Sequence, residues 1–540
     1  MKKWSGCFVF ALLMVLFFWQ IAFRPLANPD EGRYAEIARE MLISGDWITP
    51  RLNGLLYFEK PPFVYWCTVI GQRIFGENLW GVRFFNTLFA LLTCLSVYRF
   101  CAHFFSYKVG AIAAGLLGTS TLMFGMSQML TLDGILGFFV TATLLSFAWG
   151  FLETDNRSAQ RHFWLAYIFM AFAILTKGLI GIVFPALVGI PWLIYTGYWR
   201  KMRQAHVVWG FLLVLLINFP WHCAIAVKHA AFCKFYFWHE HFERYFLPTH
   251  NRMKPFYFLP VSFLVGLIPW AFFLPRALIL SFKSAREKTK RNILVFGCLW
   301  SVLLIAFFSR SQSQLIPYIL PAIPGVILSL AYAFSIPHFL QQCRIECFIW
   351  ATAFLIVSYL LPGIVAKRAL EPFPQFALIS TELVLITGSL GALAYLKKSP
   401  KLAFGFLTTI TCGIYFMLPL FFPYFQRLNA SWVSQVISQS SEEPKIVYCA
   451  YEYFQDLPFY LKQVVGIVGH VPDEQLLGHQ LEGCDRYISQ EQLAPLWASK
   501  KKIFVVVRRR HKEVFEREVT HVPFYILTQD LHFILYSNRL

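Results

Sequence analysis

Along residues 1–421, thirteen apolar runs alternate with short polar gaps. They fall near 6–23, 80–101, 109–125, 132–151, 163–176, 178–196, 206–226, 256–274, 292–308, 317–335, 346–364, 376–395 and 401–421. About 20 apolar residues in helical conformation cross a bilayer core of about 30 Å. The pattern predicts an α-helical integral membrane protein with about thirteen transmembrane helices, the two flanking Lys177 being short. Lys2 and Lys3 ahead of the first run resemble the opening of a signal peptide, yet no clean small-x-small cleavage site follows. An uncleaved first span is the expectation. The gap at 24–79 is long. Within it Tyr34, Ile37 and Met41 share one helical face, which predicts an amphipathic helix lying along the membrane surface, and Phe63–Phe75 predicts a second.

Beyond Pro423 the pattern changes. Short β-branched and aromatic runs at 445–448, 464–468, 503–507 and 533–536 read as strands, and 456–462, 473–479, 491–500 and 512–519 read as helices between them. This alternation predicts a small α/β domain over 422–540, which an odd number of spans places outside the cytoplasm. The expected division is a transmembrane domain, 1–421, that includes the 24–79 loop, followed by an extracytoplasmic domain, 422–540. No internal repeat or low-complexity segment is present.

Composition agrees. The chain is 57% hydrophobic and only 14% charged, against about 25% charged in soluble domains. The formal net charge is +19, but residues 422–540 balance thirteen basic against thirteen acidic residues, so the excess lies in the membrane region. Its basic residues gather in alternate gaps: Lys108, Arg157 and Arg161, Arg200 to Arg203, Arg276 to Arg291, Arg344, and Lys397 to Lys401. That is the positive-inside pattern with a cytoplasmic N-terminus. Topology accounts for the charge, and nucleic acid is not an expected partner. The 12 cysteines contain no CxxC pair and mostly sit in apolar runs. Cys343 and Cys347 lie one helical turn apart but have no clustered His, a weak metal signal. Cys449 and Cys484 could pair in an oxidising compartment.

With that topology the distinctive polar residues fall on the outer side. Asn28-Pro29-Asp30-Glu31-Gly32-Arg33-Tyr34 and Phe58-Glu59-Lys60-Pro61-Pro62 occupy the first loop. Asp133 begins the fourth span, Lys177 lies between the fifth and sixth, His239, Glu240, His241 and Arg244 follow the seventh, and Arg310, Gln312, Gln314 and Tyr318 precede the tenth. Charges at a membrane are costly and usually face a functional cavity. Each residue also has a plainer reading. Asp30 and Asp133 suit helix N-caps, Glu59–Lys60 an interfacial ion pair, and Lys177 snorkelling. The histidines suit ordinary interface positions, and Arg508-Arg509-Arg510 a solvated or headgroup-facing run. Taken together, Lys60, Lys177, Arg244 and Tyr318 suit a phosphate clamp, and Asp30 and Asp133 suit proton acceptance or the holding of an amine or hydroxyl. No P-loop is present. Group transfer from a lipid phosphate fits these charge types.

These motifs resemble those of the polyprenyl-phosphate-sugar glycosyltransferases of the GT-C fold, which are related to protein O-mannosyltransferases. The likeness is greatest to the lipid A 4-amino-4-deoxy-L-arabinose transferases. It rests on Pro29-Asp30-Glu31 with Arg33-Tyr34, Phe58-Glu59-Lys60-Pro61-Pro62, Thr131-Leu132-Asp133, Leu175-Thr176-Lys177-Gly178, Glu240-His241 with Arg244, Tyr318-Ile319-Leu320-Pro321, and Tyr451 to Leu461. The resemblance implies Asp30 as the principal catalytic carboxylate and Asp133 as the second. It implies Lys60, Arg244 and Tyr318 on the donor phosphate, Lys177 lining the sugar cavity, and Glu31 in substrate binding. Glu59, with His241, is implied in a structural divalent site (Zn, Mg or Mn), no cofactor being needed for the chemistry. The implied donor is a polyprenyl-phosphate sugar and the implied acceptor a lipid A phosphate, at the periplasmic face of the inner membrane. Hexose, mannose or hexosamine transfer to a protein or another glycan is the alternative within the class, and a lipid-linked-sugar flippase the alternative outside it. The family has Lys-Leu-Pro-x-Tyr ahead of the tenth span, where this chain reads Gln314-Leu315-Ile316-Pro317-Tyr318 and loses a positive charge.

Overall fold

The computed structural model describes residues 4–243, 254–368, 373–425, 429–440, 445–519, 523–530 and 532–539. The chain divides into two compact units. One comprises Met1–Ile21 with Phe84–Phe421, the other Ala22–Arg83 with Phe422–Leu540. The long first loop therefore belongs to the same unit as the C-terminal residues.

The first unit is helical. Among the described residues eight helices are long and apolar enough to cross a membrane, or ten if two bent pairs each count as one span, with shorter apolar helices at Gly6–Phe18 and Ile180–Thr196. This is fewer than the thirteen expected. The run at 109–125 breaks into Tyr107–Gly118 and Thr121–Ser127, bent by 69°, and that at 256–274 into Phe258–Gly266 and Trp270–Ser284, bent by 103°. The breaks expose backbone that side chains must satisfy, since no water is available in hydrocarbon. Tyr415 Oη donates to the Thr119 carbonyl at 3.1 Å and Thr121 Oγ1 to that of Ile268 at 2.9 Å. The same device supports the 3-10 helix Ile316–Ala322. There Trp300 Nε1 and Ser301 Oγ donate to the carbonyls of Pro321 and Ala322, each at 2.7 Å. Helices Lys288–Ser309 and Ile323–Ser335 cross at Gly297 and Gly325, where a Cβ on Gly325 would lie 2.5 Å from the Gly297 carbonyl oxygen.

The second unit is built on a six-stranded sheet. Its strands are β3 (Ile446–Ala450), β4 (Gly466–Val468), β5 (Tyr487–Ile488), β6 (Ile503–Arg508), β7 (Tyr525–Gln529) and β8 (Phe533–Ser537), after a hairpin of β1 (Arg51–Leu52) and β2 (Leu55–Leu56). The order is β5-β4-β3-β6-β8-β7. Strands β3 to β6 run parallel, and β8 and β7 complete the sheet antiparallel. Val447, Val505, Val506, Ile534 and Leu535 fill its interior. All four expected strands and all four expected helices are present. Cys449 and Cys484 are both free thiols, the first buried within β3, so the considered disulfide is absent.

The first-loop residues are core elements of this unit. Helix Asp30–Ser44 buries Tyr34, Ile37 and Met41, and also Glu36 and Arg39 on its other side. It is an interior helix, not the surface-lying one expected. Its buried polar side is tolerated because Arg39 grips Glu36 at 2.6 and 2.7 Å. Helix Phe63–Phe75 matches expectation and leaves Ile70 and Ile74 exposed. Asn53 and Gly54 form the hairpin turn with positive φ at both positions, the conformation that an Asn-Gly pair favours. Asn53 then exchanges hydrogen bonds with the backbone of Val465 at 2.8 and 2.9 Å.

Packing at the Gly297–Gly325 crossing gives a test. Gly325→Ala is expected to cost about 1–3 kcal/mol through overpacking and to lower the melting temperature in detergent. Gly363→Ala, where no atom lies within 4 Å of the added Cβ, serves as the neutral control.

Candidate functional site

The adjacent carboxylates Asp30 and Glu31 open helix Asp30–Ser44, and the helical turn between them sends them in different directions. Glu31 is fully buried. Its Oε2 accepts from Arg24 Nη1 at 2.6 Å and from the Ala27 amide at 2.9 Å, and its Oε1 from Arg83 Nε at 2.8 Å. Burial alone would raise its pKa, but Arg24 and Arg83 outweigh that and hold it at about 2. Glu31 was expected to touch substrate. Both its oxygens are instead taken up inside the unit, so it anchors the loop. Asp30 is 48% exposed, with Arg33 Nη1 3.7 Å from its carboxylate. Pro29 stands at the N-cap position, where no side chain caps the helix. Asp30 therefore is not the cap that its sequence position also suited.

The segment carrying Asp30 is held from the α/β residues. Asn28 Nδ2 donates to Asp456 Oδ1, the Asp456 amide donates back to Asn28 Oδ1 at 3.1 Å, and the Ala430 amide donates to Asp456 Oδ2 at 2.7 Å. Burial raises Asp456 to about 6, against the pull of those donors. Tyr460 Oη accepts from the Leu26 amide at 2.7 Å, and Arg33 pairs with Glu474 at 2.5 Å. Sequence reasoning did not single out Arg24, Arg83 or Glu474, and it held Asn28 and Asp456 only as members of longer runs. The run Tyr451–Leu461 had been noted, but nothing local in it points to residue 28. Nearby, Tyr57 Oη donates to Glu59 Oε2 at 3.1 Å and Lys60 Nζ to the Glu59 carbonyl at 2.8 Å.

In the helical unit, Thr131 caps helix Leu132–Leu152 by accepting from the Gly134 amide at 3.2 Å. Asp133 is thereby released from capping and pairs with Lys177 Nζ at 2.5 Å, both side chains nearly buried. Lys177 ends helix Asn156–Lys177, and its Nζ lies 4.2 Å from the centre of the Tyr318 ring. Asp133, Lys177 and Tyr318 thus form one cluster, and Lys177 is paired rather than snorkelling. Gln314 stands where the resembled family has Lys. It is buried and donates to the carbonyls of Ser309 at 3.1 Å and Ser311 at 3.3 Å. Arg244 and the side chain of His241 lie outside the described residues. Among the described residues no group of three or more His, Cys, Asp or Glu side chains is arranged to hold a metal ion. The expected Glu59–His241 divalent site lies partly outside the described residues.

The first unit thus carries a paired Asp–Lys–Tyr cluster among membrane-length helices, and the second an exposed carboxylate on a clamped loop. The model of the dolichyl-phosphate-mannose-protein mannosyltransferase family matches residues 24–236. The chain is 33% identical over 59% of its length to the undecaprenyl phosphate-α-4-amino-4-deoxy-L-arabinose arabinosyl transferase of Pseudomonas aeruginosa strain UCBPP-PA14. It is 35% identical over 62% of its length to that of Edwardsiella ictaluri. It spans 59% and 60% of the length of those two relatives. In structure it is similar to ArnT from Cupriavidus metallidurans bound to undecaprenyl phosphate, with a TM-score of 0.84 and 26% identity over 100% of this chain and 98% of that one. The chain is a membrane protein with the GT-C fold, similar in sequence to the protein mannosyltransferases and to the aminoarabinose transferases.

The Arg24–Glu31–Arg83 cluster gives the next test. Glu31→Gln leaves two buried guanidiniums without their counter-ion and is expected to cost about 3–5 kcal/mol. A depressed carboxylate pKa contributes stability above its ordinary value of 4.5 that is lost as pH falls toward about 2. The gap in melting temperature between wild type and Glu31→Gln should therefore narrow as pH falls from 4.5 toward 2.

Proposed function

We propose that the chain transfers 4-amino-4-deoxy-L-arabinose from undecaprenyl phosphate to a phosphate of lipid A at the periplasmic face of the inner membrane. The observation that carries this reading is the likeness, over nearly the whole of both chains, to ArnT bound to undecaprenyl phosphate. The relatives named for the same transfer support the sugar and the donor.

On this reading the acceptor oxygen attacks the anomeric carbon, the bond to the donor phosphate breaks, and undecaprenyl phosphate leaves with inversion. A lipid A phosphate is already anionic and needs little deprotonation, so Asp30 orients the sugar or acceptor and supports developing positive charge. A hydroxyl acceptor would call on it as a base. Lys60, Arg244 and Tyr318 hold the donor phosphate, and Lys177 lines the sugar cavity. Because Lys177 is already neutralised by Asp133, its part is to shape the cavity and to carry the Tyr318 ring. The N-terminus is cytoplasmic and the α/β unit periplasmic. The match to the mannosyltransferase family favours, as second reading, hexose transfer from the same class of lipid donor.

The test uses purified protein in detergent with radiolabelled undecaprenyl-phosphate aminoarabinose and lipid A. Wild type is expected to label lipid A. Asp30→Asn should lose about 10²–10⁴-fold in rate while still binding the donor. Donor binding without transfer by wild type would overturn the acceptor, and labelling only from a polyprenyl-phosphate hexose would favour the second reading.

A further inference from the structure

Strand β3 lies between β4 and β6. The chain leaves β3 toward β4 and β5, then returns to pair β6 on β3's other side. In parallel sheets such a reversal opens a crevice beyond the carboxyl ends of the two central strands, where ligands bind. Here those ends are Tyr451-Glu452 after β3 and Arg508-Arg509-Arg510-His511 at β6, the basic run that the transfer reading does not use.

The crevice exists. It has about 430 Å³ of accessible volume and is lined by Asn28, Tyr451, Glu452, His470, Arg508 and Arg510, among others. Tyr451 is held at φ 64°, a left-handed conformation costly for an aromatic residue and a type of strain that clusters at ligand clamps. The basic side chains converge on a single carboxylate. Arg508 Nε lies 2.6 Å from Glu452 Oε2, Arg510 pairs with Glu452 Oε1, and His511 Nε2 lies 3.3 Å from the same oxygen. The Arg508 contact is not aligned as a hydrogen bond, so a buried Nε–H lacks a proper acceptor. Two guanidiniums share the one carboxylate of Glu452 and keep unused donors, which suits a second anion. On the far wall Glu474 is paired with Arg33, and Asp473 is the second acid.

We propose that this crevice binds an anion, the phosphate of a phosphorylated sugar headgroup, with Arg508 and Arg510 as its ligands and Glu452 as the intramolecular competitor it displaces. The crevice also borders Asn28, two residues before Asp30. The choice of a glycolipid headgroup over another anion rests on the transfer reading; the anion site does not.

The test is calorimetric titration of the full-length protein in detergent with glucosamine 1-phosphate and, separately, with inorganic phosphate. The Arg508→Gln/Arg510→Gln double variant is expected to bind about tenfold or more weakly, the scale of a lost charge-assisted pair. Glu452→Gln is expected to bind several-fold more tightly, a gain that a misfolded variant cannot produce. Unchanged binding in the double variant, or weaker binding in Glu452→Gln, overturns the site. Displacement of the sugar phosphate by lipid A supports the headgroup. Equal affinity for inorganic phosphate with no displacement keeps the anion site and overturns the headgroup. Undecaprenyl phosphate binding is measured on the same samples. Its loss in wild type would sink the transfer reading and leave the crevice titration standing.

Discussion

Glu31 closes the first loop on itself, and the placement of the exposed Asp30 follows from that closure. Arg24 stands near the start of the segment and Arg83 at its end, and both guanidiniums meet on the one carboxylate between them. Arg83 also donates to the carbonyls of Arg24 and Pro25 at 2.8 and 2.9 Å, so the two ends of a 59-residue separation are tied by backbone as well as charge. An isolated buried carboxylate would neutralise itself; two guanidiniums and an amide keep this one ionised. With Glu31 turned inward, the helix geometry turns its neighbour outward, because successive residues lie about 100° apart around a helix of 3.6 residues per turn. Two acids adjacent in sequence thereby take opposite tasks. One fixes the loop and the other is left half-exposed.

A related economy appears in the helical unit. Thr131 supplies the cap that Asp133 could have supplied, and Asp133 is free to pair with Lys177. Lys177 then has a fixed place over the Tyr318 ring. Tyr318 itself rides on a 3-10 turn whose last carbonyls, those of Pro321 and Ala322, accept from Trp300 and Ser301 of the neighbouring helix. Gln314 does the equivalent for the preceding loop. An ammonium there would also donate to carbonyls but would bring a charge needing compensation. The amide keeps the donors and drops the charge, a physical reason why the replacement is tolerated.

The local pattern carried much of this architecture. Apolar runs and β-rich runs located helices and strands to within a few residues, because burial of one face or of both is written in the spacing of side chains. The two strands of the six-stranded sheet not anticipated, Tyr487–Ile488 and Tyr525–Gln529, are respectively two residues long and only partly buried, and so carry no strong period. The helix Asp30–Ser44 reads as a membrane-surface helix because Tyr34, Ile37 and Met41 share one face, but Glu36 and Arg39 are buried as well. Their mutual pairing lets the polar side be buried, and a pair three residues apart is equally common in water. Within the candidate site, the chemistry-bearing residues were visible as charges in apolar surroundings, whereas their partners were not. Asn28 and Asp456 are 428 positions apart, and no periodicity links them.

That long separation explains the division of the chain. The loop bearing Asp30 has too little apolar surface to fold alone, being one helix of mixed polarity, a hairpin and a second short helix. It gains its core from residues at the far end of the chain. Asp456 and Tyr460 hold Asn28 and Leu26, Val465 holds the hairpin turn, and Gly478 leaves room for Leu56, whose carbonyl would lie 2.5 Å from any Cβ there. Loop closure over hundreds of residues costs only a few kcal/mol more than over tens, since the penalty grows with the logarithm of length. The gain is a loop fixed by a sheet instead of by the membrane. A carboxylate fixed in this way keeps its place relative to the sheet. The parallel strands, buried on both sides, supply the support.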